Sequence, residues 1–94
     1  ASLLEDTNTN SALLAQLLNK NYRAARRTLE KIKNPDATTY YIQAILGART
    51  QNVAFVYDGL RNAISLDPAL ATKAAGDLEF TKYTNDDTFQ SIIR

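Results

Sequence analysis

The chain has 94 residues and a formal net charge of +1, which is enough length for one domain and too little charge to predict nucleic-acid or membrane binding. Histidine and cysteine are absent, which excludes disulfides, Ser-His-Asp or Cys-His catalytic groups and the usual zinc clusters. No apolar run approaches the roughly 20 residues of a membrane-spanning helix, and the three glycines are too scattered to form a phosphate-binding loop. We therefore expect a protein that is not an enzyme, holds no metal or cofactor and does not insert into membranes.

Residues 1–9 join an apolar pair, Leu3-Leu4, to an acidic and polar run. This composition predicts a flexible tail or the end of an earlier repeat. Methionine is absent, so we expect a processed protein or a piece of a longer chain.

Residues 10–35 predict a first helical hairpin, with helices near 11–19 and 22–33 joined by a polar turn. Asn10 or Ser11 is suited to cap the first helix. Apolar residues recur at intervals of three and four, which places them on one face of each helix. They are Leu13, Leu14, Leu17, Leu18, Tyr22, Ala25, Leu29 and Ile32.

Residues 36–67 predict a second hairpin, with helices near 37–50 and 53–65. Asp36 and Asn52 precede these helices and are suited to cap them. The apolar residues again follow the helical period and predict a buried face on both helices. They are Tyr40, Tyr41, Ile42, Ala44, Ile45, Leu46, Ala48, Val53, Val56, Tyr57, Leu60, Ala63 and Ile64.

The two hairpins repeat one pattern of apolar and turn residues at a separation of 31 residues, here named the repeat offset. It carries Asn21 to Asn52 and Leu29 to Leu60. Recurrence at a single offset predicts stacked helical hairpins that bury a shared core. We therefore expect Leu60 to be a core residue between the helices of the second hairpin and their neighbour.

Residues 68–94 are less regular and predict a degenerate capping hairpin, with helices near 68–79 and 86–93. Phe80 is expected near the frayed end of the first of these helices. The pair Asp86-Asp87 could serve as catalytic acids or open a calcium loop, but no further acids follow at calcium-loop spacing. We interpret the pair as a solvated helix start, where acids suit the helix dipole.

Several residues of the second hairpin match a known repeat pattern in type and spacing. They are Tyr40, Ala44, Val56, Leu60 and Pro68. These residues stand at the aromatic, small, A-x3-F and proline positions of a tetratricopeptide repeat, which the hairpin therefore resembles. Gln43 and Gly47 depart from that pattern, since an apolar and an aromatic residue are expected there.

This resemblance implies an all-α fold, an α-α superhelix of about three helical hairpins. The chain is similar to the C-terminal repeat region of Bacteroides-type bacterial proteins, which implies a location in the cell envelope or periplasm. The resemblance also implies that the chain is a non-enzymatic module for protein interaction or a scaffold. Such a module binds a protein or peptide segment on the concave face formed by the first helix of each hairpin.

One stripe of side chains would line that concave face. From Tyr41, steps of four reach Ile45 and Arg49, and the repeat offset places Asn10 and Leu14 beside them. Together they offer an aromatic anchor, an apolar floor, an amide and a guanidinium. Alternatively, Leu14 and Ile45 only pack between hairpins, while Tyr41 either lies isolated on the surface with Arg49 or packs against the first hairpin.

A basic stretch offers a second hypothesis. Its cations are Lys20, Arg23, Arg26, Arg27, Lys31 and Lys33. The stretch would bind an anionic polymer, although such a run is more often the solvated back of an amphipathic helix. Tyr22 is the only aromatic residue among these cations and the repeat pattern buries it, which disfavours nucleic acid as the partner. In a third hypothesis, the domain is an architectural spacer of a larger envelope protein.

Overall fold

The computed structural model describes residues 9–93, which form α-helices and one 3₁₀ helix. In chain order these are α1 (Asn10–Leu18), α2 (Tyr22–Lys31), α3 (Ala37–Arg49), α4 (Val53–Leu66), α5 (Ala69–Ala75), the 3₁₀ helix (Leu78–Tyr83) and α6 (Asp87–Ile93). Residues 9–93 contain no strand, so the predicted all-α fold is confirmed. The predicted tail, residues 1–9, lies outside the described residues except for Thr9.

Short polar side chains fix where α1 and α3 begin. The Thr9 hydroxyl accepts the backbone N–H of Ala12 at 3.1 Å, so α1 is capped by Thr9 rather than by Asn10 or Ser11. Asp36 and Thr39 form a reciprocal capping box at the start of α3. Each cap satisfies a backbone N–H that the helix itself leaves unpaired.

The turns of the first two hairpins have the same backbone geometry. Lys20 and Gln51, which are one repeat offset apart, both adopt the left-handed conformation, with φ of 61° and 59°. The next residue in each turn, Asn21 or Asn52, donates its N–H back across the helix end at 2.8 Å. This is the hydrogen bond of a Schellman motif. The backbone therefore repeats at the same offset as the sequence pattern.

Two glycines let α3 and α4 approach closely. A Cβ atom at Gly47 would lie 2.7 Å from Phe55 Cβ and from the Val56 nitrogen. A Cβ atom at Gly59 would lie 2.7 Å from the carbonyl oxygen of Tyr40. Position 47 therefore has no room for the aromatic residue that the tetratricopeptide pattern places there.

The core consists of two clusters of buried side chains that meet at α3. One joins α1, α2 and α3 and contains Leu13, Leu17, Ala25, Ile42 and Leu46. The other joins α3 and α4 to the C-terminal elements and contains Tyr41, Ala44, Val56, Tyr57, Leu60, Ala63, Ala74, Phe80 and Phe89. Leu60 is fully buried, as the repeat pattern predicts.

The third unit differs from the predicted hairpin. Its first helix, expected to reach residue 79, ends at Ala75, and a 3₁₀ helix follows after Gly76 and Asp77. Phe80, expected at a frayed helix end, is fully buried, whereas Leu78 is 88% exposed. The break turns Phe80 toward the core, where it contacts the rings of Tyr41 and Phe89. A continuous helix would match the periodicity of the sequence, but it would not place Phe80 in these contacts.

We predict that Leu60→Ala lowers the free energy of unfolding by about 2–5 kcal/mol, because it removes apolar contacts and leaves a cavity. Leu18→Ala is the matched control, since Leu18 is 61% exposed and should change stability by less than about 0.5 kcal/mol. Urea unfolding measures both. Equal losses for the two variants would contradict the observed burial of Leu60.

A second prediction concerns the α3–α4 contact. Gly59→Ala should destabilise the fold by about 1–3 kcal/mol, because its Cβ would meet rigid backbone. Gly76→Ala is the control, since nothing lies within 4 Å of the added Cβ. Alanine there should leave stability unchanged or raise it by about 0.4–1 kcal/mol. Thermal unfolding distinguishes the two, and a neutral Gly59→Ala would mean that α3 and α4 lie farther apart.

Candidate functional site

Tyr41, the proposed aromatic anchor, is not on an open surface. It is only 5% exposed, and its ring meets that of Phe80 edge-on, with centroids 5.7 Å apart. Its hydroxyl donates a hydrogen bond of 2.6 Å to Asp77 Oδ2. Burial, and then this hydrogen bond, raise the pKa of Tyr41 well above its ordinary value. The structure corrects the expected exposure of Tyr41, which packs against the third unit and not the first.

Arg49 is also engaged within the chain. Its guanidinium forms a two-point ion pair with Glu79. Nε donates to Oε1 at 3.1 Å, and Nη2 donates to Oε2 at 2.6 Å. It also donates to the carbonyl oxygen of Leu17 at 3.4 Å, which ties the first and third units to α3. The hydrogen bonds to Glu79 raise the pKa of Arg49 above its ordinary value. Arg49 is therefore not the isolated surface group of the alternative interpretation.

The other three residues of the proposed stripe are placed differently from one another. Asn10 donates to Asp36 Oδ1 at 3.0 Å and accepts from the Thr39 hydroxyl at 2.6 Å. The Thr39 N–H first, and then Asn10, lower the pKa of Asp36. Leu14 is 41% exposed. Ile45 is half-buried and packs against both core clusters, as expected for a residue between hairpins.

The five residues therefore do not form an open groove in this conformation. Residues 77–83 cover the part of the stripe that contains Tyr41 and Arg49. Asn10 belongs to a separate polar network at the start of α3. Their role in binding a partner stays a prediction, and free functional groups must be sought elsewhere on the surface.

A cleft of about 200 Å³ opens between α2 and the turn that joins α3 to α4. It is lined by Tyr22, Arg23, Arg26, Leu46, Thr50, Asn52 and Phe55. The Arg26 guanidinium carbon lies 5.1 Å from the centre of the Phe55 ring, which is cation–π distance. The cleft thus combines an apolar floor with two guanidinium groups at its rim.

The α2 region around this cleft is strongly basic. Residues 10–35 contain six lysines and arginines but only one acidic residue, Glu30. All six cations are exposed. The ion pairs found among the described residues join Arg49 to Glu79 and Arg61 to Asp58, so they leave the six cations of α2 and its flanks uncompensated.

Sequence reasoning found the basic stretch but not the cleft. Tyr22 was expected to be buried, yet it is half-buried and lines the cleft wall. Phe55 lies one position before the buried Val56, at the edge of the apolar stripe of α4. This edge position is a weak signal of a partly exposed ring. Its placement next to Arg26 depends on how α2 packs against the second hairpin, which local periodicity does not specify.

The described residues contain no cluster of three or more acidic, histidine or cysteine side chains that could hold a metal ion. None of the helices between residues 9 and 93 is both long and apolar enough to cross a membrane. No known protein family, characterised protein or solved structure significantly matches this chain.

Two buried tyrosines give a testable contrast. Tyr41→Phe should cost about 1.5–3 kcal/mol, because it removes a hydrogen bond to the Asp77 carboxylate. Tyr57 has a buried hydroxyl without a hydrogen-bond partner among the described residues, and burial followed by the Asp86 carboxylate raises its pKa to about 12. Tyr57→Phe should leave stability unchanged or increase it, since the hydroxyl gains little from burial. Urea unfolding at pH 7 compares the variants, and the opposite ranking would refute this assignment of hydrogen bonds.

Proposed function

We propose that the protein is a non-enzymatic scaffold of tetratricopeptide-like hairpins that binds an acidic segment of a partner protein along α2. The observation that carries the proposal is the uncompensated charge on this helix and its flanks. The binding surface, here named the basic face, comprises Lys20, Arg23, Arg26, Arg27, Lys31 and Lys33. It replaces the concave stripe as the proposed docking surface.

The distribution of charge favours an acidic partner on this face. Residues 36–94 carry seven acids and five lysines and arginines, so the positive charge of the chain is concentrated in the first hairpin. Arg23, Arg27 and Lys31 follow one another at intervals of four, and like charges at this spacing repel across one helical face. A segment that carries carboxylates would relieve this repulsion and gain charge-assisted hydrogen bonds.

A protein segment fits the basic face better than a nucleic acid does. The Phe55 ring is half-buried and has Arg26 against it, so it is not a free platform on which bases could stack. Glu30 lies within α2, where it would repel a continuous phosphate backbone. A peptide can place its acids opposite individual arginines and avoid this glutamate.

Helical rigidity supports a binding role. α2 is fixed to α1 and α3 by the buried side chains of Ala25 and Thr28, and the Thr28 hydroxyl donates to Gln16 at 2.7 Å. Because the helix is already formed, binding costs little conformational entropy on the receptor side. A purely architectural spacer would need no such concentration of charge.

The test measures binding of a fluorescein-labelled oligoglutamate by fluorescence anisotropy at low salt. The double variant Arg23→Gln with Arg27→Gln should weaken binding by about 3- to 30-fold, as two exposed charge pairs of up to about 1 kcal/mol each imply. The control is Arg61→Gln with Lys82→Gln, which removes two exposed cations from other units and should change affinity less than twofold. Binding should also fall as salt is raised.

Three outcomes would overturn the proposal. Equal weakening by the two double variants would show attraction to overall charge and not to α2. No binding at millimolar oligoglutamate would favour the spacer. An oligouridylate of equal charge that binds α2 at least tenfold more tightly than oligoglutamate would make nucleic acid the partner.

A further inference from the structure

We infer that the cleft between α2 and the α3–α4 turn is a specificity pocket, which takes one aromatic or leucine-sized side chain of the acidic segment and places the adjacent carboxylates on Arg23 and Arg26. This inference rests on the proposed function and adds the sequence preference of the partner. A uniformly acidic segment would need only the basic face, whereas this pocket selects an apolar residue among acids.

The size and floor of the cleft suit a single apolar side chain. Its volume of about 200 Å³ is below the roughly 300–1,000 Å³ of sites for drug-sized molecules. Leu46, which is almost completely buried, forms the floor, and Phe55 and Tyr22 line the walls. An aromatic or aliphatic group that entered would replace water against these surfaces, and this is the main source of affinity in interface hot spots.

The polar groups around the cleft favour an anion over a neutral ligand. The Thr50 hydroxyl already donates to the Leu46 carbonyl oxygen at 2.8 Å, and the Asn52 side chain already accepts the N–H of Phe55 at 3.3 Å. The guanidinium groups of Arg23 and Arg26, by contrast, are uncompensated by any acid among the described residues. The charged donors that remain for a ligand are these two guanidinium groups, and a carboxylate is their natural partner in a peptide.

The cation–π contact between Arg26 and Phe55 supports the same assignment. A guanidinium that lies over an aromatic ring keeps its N–H donors directed outward in its own plane. Arg26 is thus held in place by the ring at 5.1 Å and can bind a carboxylate at two points. A carboxylate next to the inserted apolar side chain would lie close to the N–H donors of Arg26.

The experiment compares two acidic heptapeptides of glutamate, one with a central phenylalanine and one with a central alanine. The protein should bind the phenylalanine peptide about tenfold more tightly, measured by fluorescence anisotropy. Phe55→Ala should reduce this ratio to about 1, because it removes a wall of the cleft. Val53→Ala is the matched control, since Val53 is an exposed residue on the same helix outside the cleft, and it should keep the tenfold ratio.

A second variant tests the pocket without truncating its wall. Thr50 is exposed at the cleft, so Thr50→Trp should fill the cleft, retain the fold and abolish the preference for the phenylalanine peptide. Circular dichroism checks the fold of each variant. A ratio near 1 in the unmodified protein, or a preference that survives both Phe55→Ala and Thr50→Trp, would overturn the pocket while leaving the basic face intact. If neither peptide binds, both the pocket and the proposed function are wrong.

Discussion

The close approach of α3 and α4 is the constraint on which the remaining packing depends. Gly47 faces Phe55 and Val56, and Gly59 faces the backbone of Tyr40 and Ala44. At these two positions no side chain fits between the helices, so the close approach there needs glycine. α3 can then contact α1 and α2 with one side and the third unit with the other, which explains why the two core clusters meet on it. The same contact at Gly47 seats Phe55 beside α2 and so forms one wall of the cleft.

The third unit covers the side of α3 that carries Tyr41 and Arg49, through interactions that a partner at this side would have to replace. The Tyr41 hydroxyl donates to Asp77, Arg49 is paired with Glu79, and the buried Phe80 packs edge-on with the Tyr41 ring. Hydrogen bonds to charged groups contribute about 1.5–3 kcal/mol each, and the exposure of a buried phenylalanine is costly. An incoming peptide would have to compensate both before it gained any affinity. The Tyr41 and Arg49 part of the proposed stripe is thus an internal interface, whereas no other described residue pairs with the cations of the basic face.

The sequence predicted those features of the fold that depend on local rules. The repeat offset recurs in the two turns, down to the left-handed Lys20 and Gln51 and the 2.8 Å hydrogen bonds that follow them. The 3₁₀ helix was not predictable in the same way. Asp77 caps this helix by accepting the Glu79 N–H, and its other carboxylate oxygen accepts the hydroxyl of Tyr41, a residue far earlier in the chain. No periodicity within the third unit contains the contact with Tyr41. Leu78, which continues the apolar spacing of this unit in the sequence, is instead 88% exposed.

The same distinction applies to the candidate site. Clustered cations are visible in the sequence, and their exposure follows from the amphipathic pattern of α2. The pocket is not visible, because it joins Arg26 to Phe55 across two hairpins. Gly47, where the tetratricopeptide pattern has an aromatic residue, shows how a departure from that pattern can indicate such packing. An aromatic residue there would push the α4 start away from α3, and Phe55 would no longer line a cleft with Leu46.

Several acids of this chain are bonded within the fold, whereas the cations of α2 are not paired with any described acid. Glu79 and Asp77 are used internally, each bonded to a residue of α3. Asp36 and Asp86 cap helices, where bonds to the backbone N–H groups of Thr39 and Thr88 lower the pKa of each carboxyl. These acids are thus committed to hydrogen bonds that stabilise the fold. The cations of α2 form no ion pair among the described residues, and the four-residue spacing of Arg23, Arg27 and Lys31 costs about 0.2–0.5 kcal/mol for each like-charged pair. The acidic segment that we propose would relieve this repulsion, next to an apolar cleft whose aromatic wall contacts Arg26.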